Sequence, residues 1–319
     1  MSKEKIVSEF ISSGSTLLNL ALSGKVEGGW RLGRICNIVG DKSTGKTLLA
    51  IEAATYVLKV LGKEEKVKVI YDETEAAFDL PYAESLGMPV NEVEFRHTIT
   101  VEEFFNELEE IIKQKDYDCL LYILDSLDGL SSIQEMKAKI EDGSYNMSKQ
   151  KKMGEFFRKL CGKIRKKNIC IMIVSQERDK IGVMFGKKTT RSGGKALDYY
   201  ASQVLWLHNK GRIGEADRTV GVGIKSKVEK NKVWKPYREA TFPILFEYGI
   251  DDVGSMVDFL IDKEVIEKSG HRYIWKDKKM YREDLIIELE DCKEEVVKLT
   301  EDTWNKLEEK CKVIRKPKY

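Results

Sequence analysis

The sequence predicts an α/β fold with a mostly parallel central sheet, followed by a small α+β unit at its C-terminal end. Between Arg34 and Leu207, short apolar runs such as RICNIVG and CLLYILDSL alternate with amphipathic stretches such as VEEFFNELEEIIKQ. Strands that alternate with helical patterns are typical of a parallel sheet with helices on both faces. Ligands of such folds bind at the carboxyl ends of the strands, so motifs that follow strands are the first candidates for a site.

The pattern of residues in the sequence changes at about residue 248. From there the chain reads GSMVDFLIDKEVIEKSG and continues as a highly charged stretch with helical spacing up to RKPKY. We therefore expect a short N-terminal arm over residues 1–10, a core over residues 11–247, and a small C-terminal domain with a charged helical tail over residues 248–319.

Charge and cysteine content narrow the class of protein. The 55 basic and 53 acidic residues nearly cancel, so any contact with nucleic acid must be local. The six cysteines form no CxxC pair and the three histidines are scattered, so we expect buried thiols and no zinc centre. Since no apolar run resembles a signal peptide or a membrane span, we expect a cytoplasmic protein without a membrane partner.

A phosphate-binding loop is the clearest motif. GDKSTGKT, residues 40–47, follows the strand-like RICNIV, precedes a helix-favouring stretch, and matches G-x-x-x-x-G-K-[ST]. Its glycines let backbone N–H groups surround phosphate oxygens, Lys46 reaches the outer phosphates, and Thr47 offers its hydroxyl to Mg²⁺. The predicted nucleotide ligands here are Gly40, Asp41, Lys42, Ser43, Thr44, Gly45, Lys46, Thr47 and Leu48.

Two other predicted strands end in carboxylates. CLLYILDSL places Asp125 at a strand end, where it would hold the water shell of Mg²⁺ together with Thr47. VKVIYDETEAAFD ends in Asp72, Glu73 and Glu75, and one of these would activate the water that attacks ATP. The alternative is that the three acids form a solvated turn.

Several segments resemble the RecA-type recombinases, ATP-driven proteins that coat single-stranded DNA and exchange it with a duplex. ISSGSTLLNLALSG is similar to the segment before the phosphate loop, and FDLPYAESLG to the segment on the adenine side. KIGVMFG and GGKALDYYAS resemble the second DNA-binding loop, KVEKNKVWKPYREATFPI the strand pair with intersubunit lysines, and GSMVDFLIDKEVIEKSG the small C-terminal domain. The likeness, from about Ile11 to about Glu283, implies a RecA-like P-loop ATPase core, and the nucleotide loop also resembles phage-encoded members.

The resemblance implies roles around the nucleotide. Glu75 corresponds to the catalytic carboxylate, although an extra residue in YDETEAAFD keeps Glu73 as a rival. Tyr82 would stack on adenine, and Asp79 would accept a hydrogen bond from its amino group. Gln176 would sense the γ-phosphate and connect nucleotide state to the DNA loop.

Two lysines correspond to residues that act across a subunit interface. Lys230 and Lys232, in EKNK, would reach the ATP of the adjacent subunit and stabilise charge on its phosphates, as an arginine finger does. These two lysines complete the catalytic set that the resemblance implies, with Lys46, Glu75 and Gln176.

The segment 180–202 would bind DNA without reading its sequence. Basic residues would meet phosphates, glycines would allow close approach, and Met184 and Phe185 would stack beside bases. The predicted DNA contacts are Arg178, Lys180, Met184, Phe185, Lys187, Lys188, Arg191, Gly193 and Gly194. The stretch from Met136 to Lys152 lies at the position of the family's first DNA loop, but its sequence differs considerably from that of the family.

The resemblance therefore implies a nucleoid-associated, DNA-dependent ATPase and strand-exchange recombinase. It would form helical filaments with ATP and Mg²⁺ between subunits, bind single-stranded DNA and homologous duplex, and accept help from a loader or single-strand-binding protein. Three departures are a short N-terminal arm, a basic tail KVIRKPKY where the family has an acidic one, and SQER in place of NQIR. The alternatives are a RecA-fold mediator or regulator, or a ring-forming helicase-type ATPase, without strand exchange.

Overall fold

A large twisted sheet forms the centre of the protein. The computed structural model describes residues 8–114, 116–137, 146–179, 189–191, 194–215 and 217–315. The strands are β1 (Phe10–Ile11), β2 (Trp30–Arg31), β3 (Ile35–Gly40), β4 (Val67–Glu73), β5 (Glu94–Arg96), β6 (Cys119–Asp125), β7 (Ile169–Asp179), β8 (Thr189–Arg191), β9 (Gln203–Glu215), β10 (Arg218–Asn231), β11 (Glu239–Leu245), β12 (Gly249–Ile250), β13 (Glu267–Ser269), β14 (Arg272–Trp275) and β15 (Lys278–Met280). The helices are α1 (Thr16–Ser23), α2 (Lys46–Lys59), α3 (Leu80–Ser85), α4 (Val101–Lys113), α5 (Ile133–Lys137), α6 (Asn146–Arg165), α7 (Gly194–Tyr200), α8 (Asp252–Asp262), α9 (Arg282–Glu290) and α10 (Lys293–Lys310).

The central sheet confirms the predicted fold class. Within the described residues it has ten strands in the order β12-β11-β10-β9-β3-β7-β6-β4-β5, with β8 paired to β7. The pairs from β9 through β3, β7, β6 and β4 to β5 are all parallel, while β10, β11 and β12 add antiparallel strands at one side. The strand β3, which leads to the phosphate loop, lies between two parallel neighbours.

Both faces of the sheet are covered by helices. In β6, alternate side chains point to opposite faces, so Leu121 and Ile123 join the apolar cluster under α1 and α2. Leu120 and Tyr122 join the cluster under α4 and α6. Burying each such side chain stabilises the fold by about 1.5–3 kcal/mol relative to exposure.

The helix α4 shows how local sequence sets an element. Its buried apolar residues recur at helical spacing, namely Val101, Phe104, Phe105, Leu108, Ile111 and Ile112. Thr100 and Glu103 form a reciprocal capping box that satisfies backbone N–H groups at the start of the helix. The amphipathic pattern of the sequence therefore forms the helix that covers one face of the sheet.

The C-terminal residues form a second, smaller unit. The helices α8, α9 and α10 surround an apolar cluster next to the antiparallel sheet β13-β14-β15, as the predicted α+β class requires. This unit is attached to the central sheet, because Trp304 joins the main apolar cluster. Glu308 also accepts hydrogen bonds from Arg238 and, at 2.7 Å, from Lys235.

Within the ranges given above, no helix combines the length and the apolar character that crossing a bilayer requires.

Candidate functional site

The carboxyl ends of four neighbouring strands meet at one edge of the sheet. The register places Gly40 of β3 beside Gln176 of β7, and Glu73 of β4 beside Asp125 of β6. Four of the sequence-predicted site residues are therefore brought together by the order of the strands, although they lie far apart in the chain.

The phosphate loop spans the gap between β3 and α2. Gly45 precedes α2 in the left-handed conformation (φ +82°), and no side chain caps the helix, so its first N–H groups face the loop. A Cβ atom at Gly45 would lie 2.3 Å from Cδ1 of Ile244, so only glycine fits there without displacement. The loop thus has the open N–H groups and the helix dipole that attract a phosphate.

Lys46, Thr47 and Asp125 form the polar centre of the site. Nζ of Lys46 donates to the carbonyl oxygen of Asp41 at 2.6 Å, and burial lowers the pKa of Lys46 while Asp125 opposes that shift. Oδ2 of Asp125 accepts hydrogen bonds from Oγ1 of Thr47 and the hydroxyl of Tyr71, both at 2.8 Å. Burial raises the pKa of Asp125. A hydroxyl and a carboxylate oxygen are the donors that Mg²⁺ prefers, so Thr47 and Asp125 could hold this ion.

Asp72 and Glu73, the last two residues of β4, each accept several hydrogen bonds. The carboxylate of buried Asp72 accepts from the Thr98 backbone N–H at 2.9 Å, from the Thr98 hydroxyl at 2.7 Å, and from the Tyr122 hydroxyl at 2.7 Å. Glu73 Oε1 accepts from two backbone N–H groups of its own turn, at 3.0 and 3.1 Å. These contacts tie Asp72 to Thr98 and Tyr122, and Glu73 to the backbone of the turn that follows it.

Glu75 has a different environment. Its side chain is exposed, and Oε1 accepts hydrogen bonds from the Ser126 hydroxyl and, at 3.1 Å, from Nε2 of Gln176. Its charge acts on Lys46 and on Asp125, which places the carboxylate beside the phosphate loop. Among the three acids, Glu75 is the one with the geometry of a water-orienting group.

A cavity of about 260 Å³ opens beside the phosphate loop. Tyr82 forms part of its wall, and the Tyr82 backbone N–H is held by Oδ1 of Asp79 at 3.0 Å, since Asp79 caps α3. Three other apolar residues of this wall were not predicted from the sequence: Val222 of β10, Ile244 of β11, and Phe246, which directly follows β11 and is 52% exposed. A single exposed apolar residue is normal on a protein surface, so the sequence carries no signal for Phe246.

A second cavity lies elsewhere. It measures about 710 Å³ and separates β10 and β11 from α8 and α10, with Phe242, Phe259 and Trp304 in its lining. The site that carries the chemistry is the smaller cavity, because the phosphate loop and the carboxylates converge there.

Comparisons with known proteins show the family of this chain. The model of the RecA N-terminal domain family matches residues 1–251. The chain belongs to the RecA family. A curated relative, Protein RecA of Mycoplasma mycoides subsp. mycoides SC, is 34% identical over 272 residues, which cover 85% of this chain and 76% of the relative.

In this RecA-family protein, Gln176 and Arg178 precede the segment 180–202 that is predicted to bind DNA. The Gln176 backbone N–H donates to Oδ2 of Asp128 at 2.8 Å, and Nη2 of Arg178 donates to Oδ1 of the same carboxylate at 2.7 Å. Gly194 opens α7. Six predicted DNA contacts lie outside the described residues: Lys180, Met184, Phe185, Lys187, Lys188 and Gly193.

Arg191 lies in a less open position than its predicted role suggests. The residue is buried at the end of β8, and its guanidinium forms an ion pair with Asp198 of α7. Burial lowers the pKa of Arg191, and Asp198 opposes that shift. Contact between Arg191 and DNA stays a prediction, and it requires this ion pair to open.

Lys230 and Lys232 lie toward the amino end of β3, whereas the phosphate loop follows the carboxyl end of that strand. Lys230 pairs with Val204 of β9, whereas Gly40 pairs with Leu207 of the same strand. Nζ of Lys230 donates to the carbonyl oxygens of Asp198 and, at 3.1 Å, of Tyr199. Burial, Lys232 and Arg191 lower the pKa of Lys230 to about 8. On β9, Val204 and Leu207 are three residues apart, which is about 10 Å at roughly 3.3 Å per residue.

Proposed function

We propose that this protein is a DNA-dependent ATPase that assembles on single-stranded DNA as a helical filament and exchanges that strand with a homologous duplex. ATP and Mg²⁺ would bind between subunits. The observation that carries the proposal is that Lys230 and Lys232 lie toward the amino end of β3, whereas the phosphate loop follows the carboxyl end of that strand. A head-to-tail assembly brings the two ends of neighbouring copies together, and such contacts generate helical filaments when they do not close into a ring.

The nucleotide would bind across the site described above. The phosphates would lie on the loop 40–47 with Lys46 at the outer phosphates, and the base would pack against Tyr82 near Asp79. Thr47 and Asp125 would hold Mg²⁺, which neutralises phosphate charge when it is bound.

Glu75 would orient the water that attacks the terminal phosphate. The hydrogen bond from Gln176 to Glu75 supports this role, because Gln176 lies on β7, the strand that leads to the predicted DNA-binding segment. Arg178, which is exposed two residues further along β7, would meet a DNA phosphate. The described residues therefore connect the hydrolytic site with a cation at the base of the DNA loop.

Lys230 and Lys232 would complete the site of the neighbouring subunit. Their ammonium groups would stabilise charge that develops on the phosphates during hydrolysis, and removing one such group typically costs about 10²-fold in rate. Partner chemistry follows from this arrangement: the protein binds copies of itself, single-stranded DNA and homologous duplex. A loader or single-strand-binding protein and work at the nucleoid remain part of the proposal.

The test compares ATP hydrolysis with and without long single-stranded DNA for the unaltered protein and for Lys232→Ala. We expect DNA to stimulate the unaltered protein, and Lys232→Ala to lose the stimulation while it still binds ATP. Lys306→Ala, an exposed lysine of α10, is the matched control and should behave as the unaltered protein. Hydrolysis that responds neither to DNA nor to Lys232→Ala would exclude the proposed function. Pairing of homologous strands in the same preparation tests the recombinase part.

A further inference from the structure

The segment 126–130, directly after β6, contacts the flanks of both predicted DNA loops. Lys149 lies on α6, near the end of the stretch 136–152 predicted as the first DNA loop, and donates from Nζ to the carbonyl oxygens of Leu130 and, at 3.2 Å, of Leu127. Arg178, at the start of the second loop region, binds Asp128 of the same segment. The segment also begins next to Asp125, the candidate magnesium ligand.

Asp128 connects two groups with one carboxylate. Oδ2 accepts from the Gln176 backbone N–H at 2.8 Å, and Oδ1 accepts from Nη2 of Arg178 at 2.7 Å. The Asp128 side chain is 5% exposed, whereas that of Arg178 is 58% exposed. A buried carboxylate that loses its cation pays a large desolvation penalty, so Asp128 responds strongly to the position of Arg178.

The contacts continue from Asp128 to the hydrolytic site. The residue whose backbone N–H binds Asp128 is Gln176, and its side chain donates to Oε1 of Glu75 at 3.1 Å. Three hydrogen bonds therefore lead from an exposed guanidinium to the carboxylate beside the phosphate loop. The negative charge of Asp128 also acts directly on Lys46.

Lys149 is a second cation whose charge interacts with that of Asp128. The half-buried ammonium of Lys149 is attracted by Glu135 and Asp128 and repelled by Arg178. The structure shows the arrangement in which Arg178 is bound to Asp128. If Arg178 left, its repulsion of Lys149 would end and the attraction by Asp128 would remain.

We propose that Asp128 is a positioning residue that couples DNA binding to ATP hydrolysis, and this inference rests on the proposed function. In the DNA-free subunit, Asp128 holds Arg178 and competes with DNA phosphate for it. When DNA takes Arg178, Asp128 loses its cation and shifts its hold on Gln176, which changes the hydrogen bond from Gln176 to Glu75. DNA binding thereby changes the position of the water-orienting carboxylate.

The first test is Asp128→Asn, which keeps the size of the side chain and an oxygen acceptor for Gln176 but removes the charge that holds Arg178. We expect single-stranded DNA to bind about ten-fold more tightly without nucleotide, as for the loss of one coupled charge pair. We also expect the ratio of DNA-stimulated to DNA-free hydrolysis to fall. In an Arg178→Gln background, Asp128→Asn should leave DNA affinity unchanged. Asp302→Asn, an exposed acid of α10, is the charge-matched control.

The second test is Arg178→Gln, an exposed change that retains the fold. Because it removes the cation of Asp128 even without DNA, we expect DNA-free hydrolysis to rise toward the DNA-stimulated rate. An Arg178 that only contacted DNA would leave DNA-free hydrolysis unchanged, and that result would overturn the coupling.

Other outcomes separate the two proposals. If Asp128→Asn shows unaltered DNA affinity and unaltered stimulation, the coupling is wrong and the proposed function stands. If Asp128→Asn loses DNA-free hydrolysis and melts at a lower temperature, Asp128 is structural and the coupling is also wrong. If the unaltered protein shows no stimulation by DNA, the proposed function itself fails.

Discussion

A subunit-mixing experiment tests whether the ATP site is shared between copies of the chain. The Lys232 backbone N–H donates to the carbonyl oxygen of Ser202, and Leu207 of the same strand pairs with Gly40. Five residues of strand separate these points, which is about 17 Å at roughly 3.3 Å per residue. That distance exceeds the Debye length of about 8 Å at physiological salt, so Lys232 has little electrostatic effect on its own phosphate loop.

The experiment combines two inactive variants. Lys232→Ala keeps the phosphate loop and Glu75 but lacks the cation for its neighbour, whereas Glu75→Gln binds ATP and keeps Lys232. We expect each variant alone to hydrolyse ATP about 10²-fold more slowly than the unaltered protein. In a 1:1 mixture, about one quarter of the heterologous interfaces combine the two intact halves and recover activity.

The assay is DNA-stimulated ATP hydrolysis as a function of mixing ratio, with fluorescent labels to confirm that both variants enter the same filaments. The matched control mixes Lys230→Ala with Lys232→Ala, which lie on the same side of the interface and cannot restore a full pair of lysines. If the first mixture hydrolyses ATP only as fast as the sum of its components within shared filaments, the site is not shared and the reasoning from strand register is refuted.

Three further predictions concern binding and stability. Gly45→Ala forces a methyl group to 2.3 Å from Ile244 at φ +82°, so we expect urea denaturation to give an unfolding free energy about 1–3 kcal/mol lower, and an unchanged value would contradict the strain. Tyr82→Ala should weaken ATP binding about ten-fold by calorimetry, while Tyr82→Phe keeps the ring and should bind normally; equal losses would assign the effect to the hydroxyl. The hydrogen bond from Arg238 lowers the pKa of Glu308 from 4.5, so its stabilisation is full above that value and is lost as pH falls through the folded-state pKa. Relative to Glu308→Gln, the unaltered protein should gain about 1 kcal/mol at neutral pH and nothing at pH well below 4, and a pH-independent difference would disprove the ion pair.

Features encoded in contiguous residues could be predicted from the sequence. The phosphate loop needs glycines, a lysine and a hydroxyl at fixed spacing, and it occupies the predicted place between β3 and α2. The alternation of apolar and amphipathic stretches predicted a mostly parallel sheet and a small α+β unit, and both are confirmed. The periodicity of apolar residues and the spacing of a motif are properties of a single element, so both can be recognised in the sequence without knowledge of the fold.

Choices that depend on side-chain direction could not be made from the sequence. Glu73 and Glu75 are two residues apart, but hydrogen bonds turn Glu73 onto its own backbone and Glu75 toward Gln176. The contact of Arg191 with DNA stays a prediction, and the sequence did not indicate that its guanidinium pairs with Asp198 of α7. These differences arise from tertiary contacts that no local pattern records.

Residues contributed by distant segments were also missed. Phe246 reaches the cavity beside the phosphate loop because β11 and β10 extend the sheet next to β9. Asp128 carries no motif, and its position between Gln176 and Arg178 results from the pairing of β6 with β7. Such positions depend on the order of the strands, whereas the sequence predicted only the fold class.

The resting position of Lys230 has a consequence for the turnover of a filament. Its ammonium already binds the carbonyl oxygens of Asp198 and Tyr199 at the end of α7, where the helix dipole is negative. In a filament built as proposed, Lys230 must leave these carbonyl oxygens before it can bind the ATP of a neighbouring subunit. The γ-phosphate must therefore attract Lys230 more strongly than the carbonyl oxygens do. Once hydrolysis removes that phosphate, the carbonyls recapture the lysine, and the subunit carries within its own fold the acceptor that favours its departure.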